Sequence, residues 1–408
     1  MSGKLMLRAV AAVLVCWAGS ASAQVQMSDD VIKIGVLNDR SGLYADLSGQ
    51  GSVIAAQMAV EDFGAAAKGM KVEIISADHQ NKPDVGSNVA RQWLDVDKVD
   101  IIVDVPNSGV ALAVNDIVRE KNKVFLNSGA GTSDLTGKAC SPNTVHWTYD
   151  TWALANGTGK AVVKTGGDTW FFIVADYAFG QALERDTSAV VLANGGKVLG
   201  SVRHPLNTPD FSSYLLQAQS SGSKIIGLAN AGSDVTNAIK QAAEFGIVQG
   251  GQNLAGLLVF ITDVHAIGLQ AAQGLILTEA FYWDMNDGTR TWSKRFAERN
   301  GGKYPTMIHA GVYAGLLHYL KAVQAVKSDS DGAKVVAEMK QLPTQDALFG
   351  NGEVRADGRT IHDMFLFEVK KPADSKGPYD YYNLRATIPA AEAFRPLDQG
   401  NCPLVKKG

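Results

Sequence analysis

The sequence predicts an α/β protein built as two lobes, each around a parallel sheet. Two observations carry this. Short apolar runs, the mark of parallel strands buried on both faces, alternate with longer stretches of helical period. The alternation begins at residue 31 and starts afresh near residue 153, and the second series is as long as the first. No Pro-rich or charged linker separates the two series. The lobes therefore share several crossing segments, and a cleft between such lobes is a usual place for a ligand.

Residues 31–37 (VIKIGVL) form the first strand. A long loop rich in Gly and Ser, NDRSGLYADLSGQG, leads into a helix over 52–67, with Val53, Ala56, Val60 and Phe63 on one face. Residues 71–77 form the second strand, 78–84 a polar turn and 85–94 a helix. A βαβ unit follows over 99–136: strand 99–105, helix 109–122 with Val110, Ala113, Val114, Ile117 and Val118 at helical spacing, and strand 124–126. Small hydroxyl and amide residues follow both strands. They are Asn107 and Ser108 after the first, then Ser128, Gly129, Ala130, Gly131 and Thr132 after the second. Ligands of open α/β sheets sit outside the carboxyl ends of the strands. Hydroxyls and backbone N–H groups there suit a small anionic group. The same residue types are ordinary turn formers, so this stretch alone leaves both readings open.

The second series runs helix 154–164, strand 169–175 (TWFFIVA), loop 176–180 (DYAFG) and helix 181–194, ended by Gly195 as a glycine commonly ends a helix. Strand 197–202, helix 211–220, strand 224–228, helix 233–245 and strand 254–260 complete it. Beyond lie an extended run at 274–283 (GLILTEAFYW), helices over 307–326 and 331–341, a strand at 362–369 and a Tyr-rich tail.

The chain opens with MSGKLMLRAVAAVLVCWAGSASA. Lys4 and Arg8 precede an apolar core at 9–17, and Ala21-Ser22-Ala23 is a small-residue cleavage site. Residues 1–23 read as a secretory signal peptide, the apolar run being too short to span a bilayer. Val15 before Cys16 is too large for lipoprotein processing, and no later stretch is apolar enough to insert in a membrane. Loss of Lys4 and Arg8 takes the formal net charge from -3 to -5. Charges of both signs are mixed and there is no polybasic tract, which excludes the electrostatic footprint of a nucleic-acid binder. Two cysteines follow residue 23, Cys140 and Cys402, each in a Pro-containing loop. In an exported chain such a pair points to one disulfide, not a metal site. GTGK at 157–160 lacks the earlier glycine and the following hydroxyl of a phosphate-binding loop. GAGTSD at 129–134 fails the dinucleotide pattern, and no G-x-S-x-G elbow occurs. No catalytic residue, cofactor or metal is expected.

Four segments in order, IKIGV, SGLYADLSGQG, DYAFG and DFSSYLLQAQSSGSKIIGLAN, resemble the periplasmic solute-binding proteins of ABC transporters, of the branched-chain-amino-acid (Leu/Ile/Val-binding) type. The resemblance covers nearly the whole chain after residue 23. It implies the type I periplasmic binding protein fold: two Rossmann-like lobes joined by three crossovers that close on a ligand. Lobe 1 would be 30–150 and 278–355, and lobe 2 with the C-terminal tail 151–277 and 356–408. It also implies a monomer in the periplasm that delivers a small organic acid to ABC permease subunits and is not an enzyme.

Carried over by position, the resemblance puts the ligand carboxylate on Asn107, Ser108, Ser128, Gly129, Ala130 and Thr132. It adds Tyr44 or Leu47, Phe179, Asp263 and Tyr313 to the site. Asn107-Ser108 keeps one hydroxyl where the family has consecutive ones, and Phe179 stands where amino-acid binders often carry Tyr. With Phe281 and Trp283 as further aromatic surface, the chain is similar to the branch that takes up aromatic carboxylates such as benzoates and phenylpropanoids. A branched-chain amino acid is the next choice, with Asp263 meeting its ammonium. Phe281 and Trp283 fit equally as core residues, and Asp263 as a helix cap. A ligand-sensing receptor of the same fold and a secreted α/β enzyme are the alternative functions.

Overall fold

Five strands form the first sheet: β1 (Ile32–Asn38), β2 (Val72–Asp78), β3 (Ile101–Asp104), β4 (Val124–Asn127) and β5 (Thr144–His146), all parallel in the order β2-β1-β3-β4-β5. The computed structural model of the chain describes residues 25–406, so the signal peptide expected at 1–23 lies outside the described residues. β3 is buried along its whole length, because alternate side chains feed two cores. Ile102 packs with Val110 and Val114 of the helix Ser108–Glu120. Ile101 and Val103 share the other core with the helices Gly49–Phe63 and Met307–Val326.

The second sheet holds β6 (Thr169–Ala175), β7 (Lys197–His204), β8 (Ile225–Ala229) and β9 (Asn253–Gly256), parallel in the order β7-β6-β8-β9. β10 (Ile276–Glu279) follows it. A small antiparallel sheet, β11 (Thr344–Asp346), β12 (Gly350–Val354) and β13 (Thr360–Ile361), joins the first lobe through a bridge between His146 and Arg359. β14 (Met364–Val369) and β15 (Tyr382–Ile388) return to pair with β10 in the order β10-β14-β15. The chain thus passes between lobes three times: after β5, after β10 and after β13. On the second passage the helix Met307–Val326 lies along Gly49–Phe63. It comes so close to β4 that a Cβ at Gly315 would stand 2.8 Å from Leu126 Cδ2.

Several elements escape the sequence pattern for identifiable reasons. The helix Asp287–Arg299 is mostly polar and turns only a narrow face inward, with Trp292 and Phe296 four residues apart. Its start is fixed locally, since Asn286 Oδ1 accepts the Thr289 N–H at 3.0 Å. β5 has three residues, and β15 buries little beyond Tyr382. The run at 254–260 ends as strand at Gly256; its remainder is the lead-in to the helix Ile261–Ile267. The run at 274–283 is strand only to Glu279. Cys140 and Cys402 form a disulfide with Cα atoms 5.6 Å apart. Among the described residues no helix is long and apolar enough to cross a membrane.

Candidate functional site

The carboxyl ends of both sheets meet at one inter-lobe cavity. Pro106 and Gly129 reach it from the ends of β3 and β4, and Tyr177, Ala231 and Leu258 from the ends of β6, β8 and β9. Three helices of 13, 16 and 12 residues, Ser108–Glu120, Ala178–Ala193 and Ser233–Glu244, begin beside these residues. Helix N-termini carry partial positive charge, and these three begin beside the same cavity. Every described residue lining the cavity is uncharged.

Rings supply most of the wall. Tyr44 stands on the loop after β1, where the Asp39 carboxylate accepts the N–H groups of Gly42 at 2.7 Å and Tyr44 at 2.8 Å. Its hydroxyl is hydrogen-bonded to that of Tyr177, one from each lobe. Tyr149 OH donates to the Gly129 carbonyl at 2.6 Å, and the Phe260 ring meets Tyr149 edge-on with centroids 6.1 Å apart. Phe179 packs 6.0 Å from Tyr177. Opposite Phe179 the wall is bare backbone, because a Cβ at Gly131 would stand 2.8 Å from Phe179 Cε2. Burial pushes the phenol pKa of Tyr44 and of Tyr149 well above the usual value, so both stay neutral hydrogen-bond donors.

The strand-end cluster read from the sequence comes together as one hydrogen-bonded unit. Asn107 Oδ1 caps its helix, accepting the N–H groups of Gly109 at 2.9 Å and Val110 at 3.1 Å. Ser108 Oγ accepts the Thr132 N–H at 3.2 Å and so joins the ends of β3 and β4. Ser128 Oγ donates to Asp104 Oδ1 at 3.3 Å, and the Ala130 N–H is given to Asn127 Oδ1 at 3.0 Å. Thr132 caps the short turn at Ser133. Of this cluster Gly129 and Gly131 line the cavity, together with Tyr44, Leu47 and Phe179.

Three other candidates stand apart from the cavity wall. Asp263 Oδ2 accepts the Phe260 N–H at 2.8 Å in the first turn of its helix, and burial pushes its carboxyl up to about 7. Trp283 Nε1 donates to the Tyr379 carbonyl at 2.7 Å, and its ring meets Tyr304. Tyr313 OH donates to Asp62 at 2.8 Å beside Trp292, in a separate surface pocket. Phe281 is buried edge-on against Trp292. The sequence missed Tyr149, Tyr177 and Phe260 as lining residues. Tyr177 stood in plain sight, two residues before Phe179 in DYAFG. Tyr149 follows a strand too short to be noticed.

A family model described as Periplasmic binding protein matches residues 31–377. The chain belongs to the periplasmic binding protein family. Membership implies a periplasmic location. This binding protein is 25% identical over 366 residues to the Leu/Ile/Val-binding protein homolog 6 of Brucella melitensis, covering 87% of this chain and 90% of that one. Among solved structures it is 52% identical to a periplasmic binding protein from Burkholderia mallei, with a TM-score of 0.90 over 93% of this chain and 100% of the other. It is 41% identical to a branched chain amino acid ABC transporter periplasmic ligand-binding protein from Burkholderia xenovorans, with a TM-score of 0.81 over 91% and 99% of the two chains. The parallel sheets, the two lobes and the crossings are those of the type I fold.

Proposed function

We propose that this periplasmic binding protein captures a small aromatic carboxylate between its lobes and delivers it, as a monomer, to the permease subunits of an ABC importer. The observation that carries the ligand class is the wall itself: the rings of Tyr44, Tyr149, Tyr177, Phe179 and Phe260 converge on one cavity between the lobes. An apolar ring gains about 25 cal/mol per Å² of surface removed from water, and aromatic pairs add roughly 0.5–1.5 kcal/mol each. With no lining cation, the carboxylate is held by hydroxyl and N–H donors at the helix starts. Ser108 is suited to this, because its oxygen accepts from Thr132 and its own proton remains to donate. The importer role draws support from the Burkholderia xenovorans relative, described as part of an ABC transporter.

Calorimetry with benzoate and 4-hydroxybenzoate against leucine and valine tests the reading. The aromatic acids bind more tightly, and Ser108→Ala weakens them roughly tenfold, the loss of one hydrogen bond to a charged group. Tight leucine binding with no aromatic binding would favour the second reading, an amino acid ligand. The observation behind that alternative is Asp263, a buried carboxyl beside Phe260 that could face an ammonium.

A further inference from the structure

Directly behind the cavity wall lies a carboxylate that the ligand reading leaves without a task. Asp104 ends β3 and is wholly buried. A Cβ on Gly129, which lines the cavity, would stand 2.7 Å from Asp104 Oδ1. The carboxylate gathers donors from three separate segments. Ser48 Oγ donates to Oδ2 at 2.6 Å, Asn38 Nδ2 donates to the same oxygen at 3.2 Å, and Ser128 Oγ donates to Oδ1 at 3.3 Å. The backbone bends to make this possible. Asp104 has φ 81° and Val105 φ 53°, a left-handed pair ending in a β-branched residue. Such geometry persists only where the surroundings impose it, and it clusters at ligand clamps.

The donors lead back to the cavity. Ser48 closes the loop that carries Tyr44 and Leu47, and its N–H is given to the Tyr44 carbonyl at 3.2 Å. Asn38 ends β1 and holds the Gly49 carbonyl at 2.7 Å. Ser128 precedes Gly129 and the backbone of the opposite wall. One carboxylate thus ties the ring-bearing loop to the wall made by Pro106 and Gly129.

We propose that Asp104 is the positioning residue of the cavity, fixing residues 41–48 against the Pro106–Gly129 wall and so setting the space and affinity for ligand. This rests on the cavity being the ligand site. It goes beyond that reading in naming a residue that acts without touching ligand.

The test uses Asp104→Asn, Ser48→Ala and the double variant in the whole protein, with two readouts. Binding of 4-hydroxybenzoate by calorimetry weakens roughly tenfold in each single variant. The double variant is no worse than the worse single, because Ser48 acts through Asp104. Amide hydrogen exchange without ligand rises in residues 41–48 and stays unchanged in the second sheet. Wild-type exchange in 41–48 of folded Asp104→Asn overturns the proposal. Where Asp104→Asn does not fold, Ser48→Ala gives the same decision with the carboxylate in place. If the wild-type protein binds no aromatic acid, the ligand reading falls and the exchange readout still decides for or against Asp104.

Discussion

Asp263 is a buried carboxyl whose titration makes a direct prediction about stability. Its carboxyl is pushed up to about 7, first by desolvation, against the hydrogen bond from Phe260 that favours the charged form. The unfolded chain titrates it near about 4. The native state therefore holds the proton more tightly, and stability from this group is full below about pH 4 and is lost as pH rises toward 7. Asp263→Asn keeps an oxygen for the Phe260 N–H and removes the titration. Its melting temperature should fall less than that of the wild type between pH 5 and pH 8, a difference that thermal unfolding across pH measures directly. Identical slopes would mean that this carboxyl does not titrate in that window. Asp234 is raised to about 6, also mainly by desolvation, and is common to both proteins, so the comparison isolates Asp263. The cap was legible in the sequence, since an acid three positions into a helix after an apolar run has a local cause. Tyr44 and Phe179 came from the resemblance to a known family, carried over position by position, and not from any local pattern. Tyr177 as the partner of Tyr44 was not legible, because the two are 133 residues apart and only the fold brings them together.

Elements that bring residues to the cavity do so through their first turns, and the glycine of DYAFG shows why the starts are demanding. Gly180 lies in the first turn of Ala178–Ala193, and a Cβ there would run into the Ala175 carbonyl oxygen at the end of β6. Backbone cannot yield as a side chain can. Gly180→Ala should cost about 1–3 kcal/mol by overpacking and weaken ligand binding, since the displaced turn carries Phe179 and follows Tyr177. Chemical denaturation and calorimetry on this variant give both numbers, and a wild-type denaturation midpoint would contradict the argument. The same strand-to-helix starts explain which elements the sequence disclosed. β1, β3, β6 and β8 are buried on both faces and read as unbroken apolar runs. β15 is largely solvated, the strands β11–β13 are short, and the helix Asp287–Arg299 needs only two rings to dock, so pattern alone did not separate them from loops.

At the scale of the molecule the lobes are in contact and the crossings are braced from behind. Tyr44 and Tyr177 join the lobes at the front. At the back, the buried Arg359 donates to the carbonyls of Trp147 at 2.7 Å and Tyr149 at 3.0 Å, tying the third passage to the first. The tail lies over this point: the Phe394 ring covers the Arg359 guanidinium at 4.3 Å, and Arg395 donates to the Ser133 carbonyl at 2.9 Å. The Cys140–Cys402 disulfide then fastens the end of the tail to the first lobe. The sequence pointed to this pair through export and parity, but not to what the tail covers, which depends on distant contacts such as Arg395 with Ser133, 262 residues apart. Cys402→Ser should lower unfolding stability by about 2–4 kcal/mol and expose the tail to proteolysis, read by denaturation and limited digestion. An unchanged midpoint would show that packing of Phe394 and Arg395 suffices without the bond. With the back braced, movement on ligand release falls to the front, where one hydroxyl pair and the ring contacts must part. Such a hinge is shifted by a ligand only as far as the ligand prefers the closed form. A ligand touching rings from both lobes has that preference, since opening removes its contacts with one of them. Small-angle scattering should therefore show a smaller radius of gyration at saturation than without ligand, and Tyr177→Phe, which removes the front hydrogen bond, should enlarge the ligand-free radius or leave it at the open limit. Equal radii with and without a bound ligand would mean that the cavity fills without lobe motion, and the front contacts would then be permanent parts of the fold.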